Sequence, residues 1–316
     1  MAILTTYGNL WGSIPQTAGN VYWVAPAASY SIGGPKGSLT YVASDSHLGT
    51  TPEKALLTLG QAVTNATANQ GDVIVLLPGA HSWSASVALS KAGLTIMGLP
   101  AGAGNRMRQR TSITTTADDE IINVTAANIE IAFLHLIPVT TKAAIDFTTA
   151  ADGLYVHDVS IDLFTAAAST STKGIAATTL AQAPSRILFQ RIHAECDSAQ
   201  GHAIDIGDAF GALVEDCEFR LTAGTWAAAV RSAGVTSQSS LWRRCQFRTS
   251  VGTMTVGLLG SNMTSTGQAS VYDCRFDENV TTPIEDFDAE GCNIAENYFA
   301  SADGSAEGGL LWSSTT

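Results

Sequence analysis

Two aspartates form the arrangement in this 316-residue chain that most invites a catalytic reading. Asp146 in AAIDF (143–147) and Asp205 in HAIDI (202–206) hold the same place in similar segments. One more segment of the kind, KGIAA (173–177), lies between them. If the three are successive rungs of a parallel sheet, the two carboxyls are two rungs apart, roughly 9–10 Å. That is near the upper limit of the separation at which one carboxylic acid protonates a glycosidic oxygen while a second activates water. Asp208, Glu285, Asp286 and Asp288 add acidity further along. The carboxylates do not cluster on one rung, and no Lys or Arg is expected to match them in that strand. The competing reading is solvent-facing acids on a ladder, and no catalytic residue is assigned.

His135 and His193 stand one residue after Leu134 and Ile192, the anchors of their segments, and His157 two before its own, Val159, all on the outer face. They read as exposed polar positions, because metal binding needs a closer constellation. Calcium needs several carboxylates converging on one spot, and the sequence offers none, so no metal or cofactor is expected. The cysteines are Cys196, Cys217, Cys245, Cys274 and Cys292. No pair has Cys-x-x-Cys spacing, and parallel side chains on neighbouring rungs have the wrong orientation for a disulfide. They read as buried thiols acting as small apolar residues.

The binding candidates lie elsewhere. Tyr7, Trp11, Tyr22 and Trp23 stand in a stretch rich in Gly, Ser, Ala and Pro. Trp and Tyr are favoured anchors on a partner, and the alternative is packing along the chain's own body. VYWVA (21–25) reads as a strand pairing with that body or with another subunit. Arg106, Arg108 and Arg110 make the one basic patch, in the loop AGAGNRMRQRTSI (101–113). It is either solvated or in contact with an acidic neighbour, such as another copy of the chain.

These residues need a frame, and a repeat supplies it. ALVEDCEF (212–219) returns as SLWRRCQF (240–247), ASVYDCRF (269–276) and CNIAENYF (292–299), and more faintly upstream. Taking Cys217 as the anchor, the others are Leu99, Leu134, Val159, Ile192, Cys245, Cys274 and Asn297. Their spacings are 35, 25, 33, 25, 28, 29 and 23 residues, the signature of a solenoid. Apolar residues recur three before the anchor, at the anchor and two after it. This breaks the period of two of a single strand. A corner repairs it, with the two residues before the anchor forming the bend. The position just before the anchor runs Phe133, Asp158, Arg191, Asp216, Arg244, Asp273, Glu296. Between Asp158 and Asp273, acid and base alternate from coil to coil, which avoids stacking like charges. A further strand follows each repeat. The fold class is therefore all-β, a parallel β-helix of about eight coils, with an extended aromatic-containing arm over 1–49, a capping helix over 50–71 and the solenoid over 72–316.

Thr51, Pro52 and Glu53 suit the start of that helix, and Ala55, Leu56, Leu59 and Val63 give it an apolar face for about four turns. It would cover the open end of the solenoid, where core and strand edges are otherwise exposed. The net charge of −12 argues against nucleic acid. There is no run of 18 apolar residues and no basic stretch followed by an apolar one at the start, so neither a membrane span nor a signal peptide is expected.

The segment PEKALLTLGQAV leading into GDVIVLLPGAH, followed by irregular h-x-h-x-D-C-x-F coils, resembles the pectate-lyase-like right-handed β-helix superfamily over about residues 44–312. Within it, the chain looks most like short β-helix virion proteins of tailed phages. The resemblance implies either a head decoration (cement) protein, commonly a trimer with no catalytic task, or a tailspike that binds or cuts host polysaccharide. The short solenoid and short arm are closer to the first. The expected partners are then the major capsid protein and other copies of the chain, with bacterial surface glycan as the alternative. The expected location is the outer surface of a capsid, after synthesis in the host cytoplasm. A tail or baseplate component is a third possibility.

Overall fold

The computed structural model describes residues 19–34, 37–99, 111–139, 141–164, 173–178, 184–197, 201–233, 240–261, 269–285, 293–299 and 309–311. Its strands stack into three long sheets that the chain visits in rotation. Sheet I has ten parallel strands, from Val21–Val24 and Val73–Leu76 to Ala269–Tyr272 and Asn293–Ala295. Sheet II starts at Gly79–Trp83 and sheet III at Val87–Leu89. The chain is a parallel β-helix, with two rungs in sheet I ahead of the first expected coil.

The apolar columns explain the stack. Ile96, Ile131, Val156, Phe189, Val214, Trp242 and Val271 pair in register along sheet I. Ile122, Ile145, Ile175, Ile204, Val230 and Leu258 do so in sheet III. Sheet II adds Phe219, Phe247 and Phe276, whose rings stack at 5.2 and 4.6 Å. These residues enclose one continuous interior. Each β-branched or aromatic side chain meets its like on the next rung, where such residues pack best.

The corner between sheets I and II is tighter than the expected two-residue bend. Residues two before the anchor, such as His157 and Glu215, still belong to the strand. One residue makes the turn, in left-handed backbone: Phe133, Asp158, Arg191, Asp216, Arg244, Asp273 and Glu296 have φ between 49° and 58°. A single left-handed residue redirects the chain and resets the inward parity, which is why positions −3, 0 and +2 all face inside. The ladder survives the turn. The Asp158 N–H donates to the Gln190 carbonyl at 3.1 Å, and the Arg191 N–H to that of Glu215 at 3.1 Å. The anchor residue tidies what remains. Asn297 Oδ1 accepts the Cys274 N–H and its Nδ2 donates to the Val271 carbonyl, both at 2.9 Å. The thiols at the preceding anchors donate to backbone carbonyls, Cys245 to those of Val214 and Arg243 and Cys274 to those of Trp242 and Tyr272. A second left-handed column leads into sheet I: Asn69, Gly93, Asn128, Gly153, Arg186 and Gly211. There Gly and Asn, the residues most tolerant of that backbone, predominate.

Part of the expected arm is a rung. Val21–Val24 pairs in parallel with Val73–Leu76. The chain then makes an antiparallel hairpin, Ser29–Gly34 with Gly37–Val42. A second apolar cluster, separate from the interior, joins Tyr30, Tyr41 and Ala43 to Trp23, Val75 and Met97 on the outer face of sheet I. The capping helix is also shorter than expected. Pro52–Lys54 is a lone 3-10 turn, and the α-helix is Leu59–Asn65. Leu56 cannot join it, because its N–H and C=O are bonded to Trp23 and Ala25. Thr58, rather than Thr51, is the cap, its hydroxyl accepting the Gln61 N–H at 3.2 Å. Leu59, Ala62 and Val63 close the end of the interior. At the other end Gly309–Leu311 pairs antiparallel with Asn297–Phe299 instead of adding a rung to sheet III.

Candidate functional site

Sheet III sets the two candidate aspartates two rungs apart, as the spacing predicts. Asp146 pairs in register with Ala176, and Ala176 with Asp205. Their surroundings differ. Asp146 accepts a hydrogen bond from the Thr178 hydroxyl. Burial pushes its carboxyl above the usual range, opposed by that bond and by nearby Lys173 and Lys142. Asp205 is fully buried. Lys173 Nζ meets its Oδ2 at 2.9 Å, and Arg231 meets its Oδ2 through Nη2 and its Oδ1 through Nε at 3.2 Å. Burial alone would raise Asp205, but Arg231 and Lys173 outweigh it and hold the carboxyl below its usual range. The expectation of no matching base is thus overturned. Arg231 lies directly beside Asp205 in register, and Lys173 reaches it from the preceding coil's strand. Both were legible in KGIAA and AAAVR once these segments are aligned on their inward Ile and Val. The Gly207 N–H also donates to Oδ1 at 3.3 Å, so each oxygen accepts two hydrogen bonds and no lone-pair site is open to take a proton from water. Asp208 is nearly buried, the Glu285 side chain lies outside the described residues, and so do Asp286 and Asp288.

The histidines are the second departure. They read as exposed, and the fold buries His135 and His157. His157 Nδ1 lies 2.7 Å from Asp158 Oδ2 and its Nε2 lies 2.9 Å from Glu130 Oε1 on the coil before. Its ring stacks on Tyr155 at 4.2 Å and meets the edge of Phe133 at 5.6 Å. Burial disfavours its protonation, but hydrogen bonds to Asp158 and Glu130 prevail and raise its pKa. His193 lies 3.1 Å from Glu195 and 3.3 Å from Glu218, and its pKa is raised by the same balance. His135 meets Asp162 at 2.9 Å. Around them, ion pairs cross from coil to coil along the corner in two runs, one from Glu130 through His157 and Asp158 to Arg191 and one from Glu215 and Asp216 to Arg244. Among the described residues no group of three or more His, Cys, Asp or Glu is arranged to hold a metal ion.

Of the proposed docking residues, Tyr22 and Trp23 are corrected. Tyr22 packs in the interior and donates its hydroxyl hydrogen to the Asn65 carbonyl at 3.0 Å. Trp23 is buried under the hairpin. Both are core residues because their strand is the first rung of sheet I, with one face inside and the other covered. Tyr7, Trp11, Arg106, Arg108 and Arg110 lie outside the described residues. Cys196, Cys217, Cys245 and Cys274 are buried, and the last three are free thiols. Among the described residues no helix is long and apolar enough to cross a membrane.

No family model matches the chain, and no curated protein matches it. Solved structures do. A pectin methylesterase in complex with a hexasaccharide aligns at 16% identity with a TM-score of 0.52, covering 84% of this chain and 91% of that one. Pectin methylesterase PemA from Erwinia chrysanthemi aligns at 13% identity and TM-score 0.51, covering 91% of each chain. The Aspergillus niger enzyme aligns at 13% identity and TM-score 0.51, covering 94% of this chain and 92% of that one. The chain has their right-handed parallel β-helix fold. At these identities the likeness is one of fold, and a fold of this kind carries many chemistries.

Proposed function

We propose that the protein is a structural virion component, a decoration protein that binds a tailed-phage head through a trimeric β-helix. The observation that carries this reading is the engagement of Asp205. Both its oxygens are held by Lys173 and Arg231 at zero exposure, so the one carboxylate pair with a spacing suited to hydrolysis is committed to holding coils together. The charged columns along the corner do the same work. A rod so tied, with three copies for avidity, suits a clamp on a lattice. The major capsid protein and other copies of the chain are the partners this reading requires. Gel densitometry of purified particles against the major capsid protein tests it. Hundreds of copies per particle are expected, and absence from the particle overturns the proposal.

A second reading, a β-helix protein that binds or cuts surface glycan, draws on the fold shared with pectin methylesterases, one of them bound to a hexasaccharide. On that reading Asp146, partly buried and with its pKa raised by that burial, is the acid to test. A few copies per particle with glycan cleavage that an Asp146→Asn variant abolishes would favour it over the first.

A further inference from the structure

The polar side chains beside the corner between sheets I and II fall into a pattern that neither decoration nor glycan binding requires. His157 and His193 stand on neighbouring coils, and each lies between two carboxylates of which one belongs to an adjoining coil. His157 faces Glu130 from the coil before and Asp158 from its own, and Asp158 is also held by Arg191 from the coil after. Gln190, in register beside it, is neutral. His193 faces Glu195 on its own strand and Glu218 on the next coil. Arg220 lies against Glu195 and Arg248 against Glu218. Ser160, on the other side of His193, is neutral. At His157 an imidazolium can donate from both nitrogens to two anions; at His193 it can donate from Nε2 to Glu195, while Nδ1, which makes no hydrogen bond, lies within ion-pair distance of Glu218. A neutral ring has one N–H and leaves a carboxylate without its cation.

We propose that this corner is an acid-closed staple: protonated His157 and His193 tie the coils from Glu130 to Glu218 together at mildly acidic pH, and their deprotonation loosens that part of the rod. The sign follows from linkage. A histidine that gains partners on folding contributes its stability in full below its ordinary pKa, near 6.5, and loses it as pH rises through the higher folded value. Glu130, Asp158 and Glu218 are each held below the usual carboxylate range by their partners, so the change across that window belongs to the rings. Two other histidines work the opposite way and elsewhere. His81 is buried with Nε2 2.9 Å from the Leu77 carbonyl, and His202 has Nδ1 3.0 Å from that of Ala228; burial holds both pKa values down, at His202 against the pull of nearby Asp205. Acid therefore loosens Gly79–Trp83 and the Ile204–Asp205 rung while it tightens the corner, and a single melting temperature would blur the two.

Hydrogen exchange of the full chain, followed by mass spectrometry at pH 5.5 and 8.0 and corrected for intrinsic rates, separates them. Peptides of sheets I and II between residues 130 and 220 are expected to be protected several-fold more at pH 5.5 than at pH 8.0. A His157→Gln, His193→Gln double variant is expected to lose that difference while matching the parent at pH 8.0. Equal protection of these peptides at both pH values, or a difference that persists in the double variant, overturns the proposal. If the double variant does not fold, titration of the parent's imidazole resonances decides. Values for His157 and His193 above 6.5 are expected, and values at or below it refute the staple.

Discussion

Arg191 grips Asp158 with two parallel hydrogen bonds, Nε to Oδ1 at 2.8 Å and Nη2 to Oδ2 at 2.6 Å, and both residues sit in left-handed backbone on successive coils. Arg244 repeats the arrangement on Asp216 at 2.7 and 2.9 Å. A side chain forced into the left-handed region costs about 1–2 kcal/mol, and here seven non-glycine residues pay it at one corner. The reward is geometric. Each corner residue points outward directly above its equivalent one rung away, so an acid and a base there meet without choosing among rotamers.

Asp158→Asn tests that pairing. Burial raises the Asp158 carboxyl, and Arg191 followed by His157 pulls it down to about 2. Its contribution is therefore present above the ordinary carboxylate pKa and is lost as pH falls toward 2. The Arg191 guanidinium keeps solvent contact, so screening reduces the expected loss at pH 7 to about 1 kcal/mol. Urea unfolding at pH 7 and pH 3 should show the variant's deficit shrinking at the lower pH.

The backbone cost can be isolated at Asp273, whose φ is 49°. Asp273→Val is expected to destabilise by about 1–2 kcal/mol, since a β-branched residue resists that region, while Asp273→Gly should stay within about 0.5 kcal/mol. Equal denaturation midpoints for the two variants would argue against strain at the corner.

Asp205 is held by two cations in a dry setting, and a buried pair that loses one member leaves the other uncompensated. Asp205→Asn is expected to cost about 3 kcal/mol. Asp146→Asn, which keeps a partner for the Thr178 hydroxyl, is expected to cost less than about 1 kcal/mol. Differential denaturation of the two variants checks the ranking.

Asn297 ends the anchor column. Asn297→Ala strips the Cys274 N–H and the Val271 carbonyl of their partners, an expected loss of about 2–3 kcal/mol. Exchange of the Cys274 amide should rise with it, and an unchanged amide would refute the role.

The buried thiols offer a simple check. Hydrogen bonding to the Cys245 thiol and burial push the Cys274 thiol well up, and hydrogen bonding to the Cys217 thiol with burial does the same for Cys245. Peptide mapping after iodoacetamide treatment of the native protein should find Cys217, Cys245 and Cys274 unmodified, and labelled after unfolding.

Much of this was in the sequence. The anchors, the inward columns and the alternation of Asp and Arg are periodic along the chain, and a solenoid turns period directly into place, because each residue's neighbour in space is its equivalent one coil away. The two-rung separation of Asp146 and Asp205 follows from the same rule. What the sequence could not decide is whatever breaks the period. The left-handed corner is invisible to residue type, since Asp, Arg, Phe and Glu all occupy it. The burial of Tyr22 and Trp23 depends on a hairpin folding back over sheet I, a contact between segments with no repeat in common. Lys173 reaches Asp205, and Glu130 reaches His157, across a coil boundary whose register only the stacked sheets fix. Composition and period set the coils, and the tertiary stack chose which charges meet.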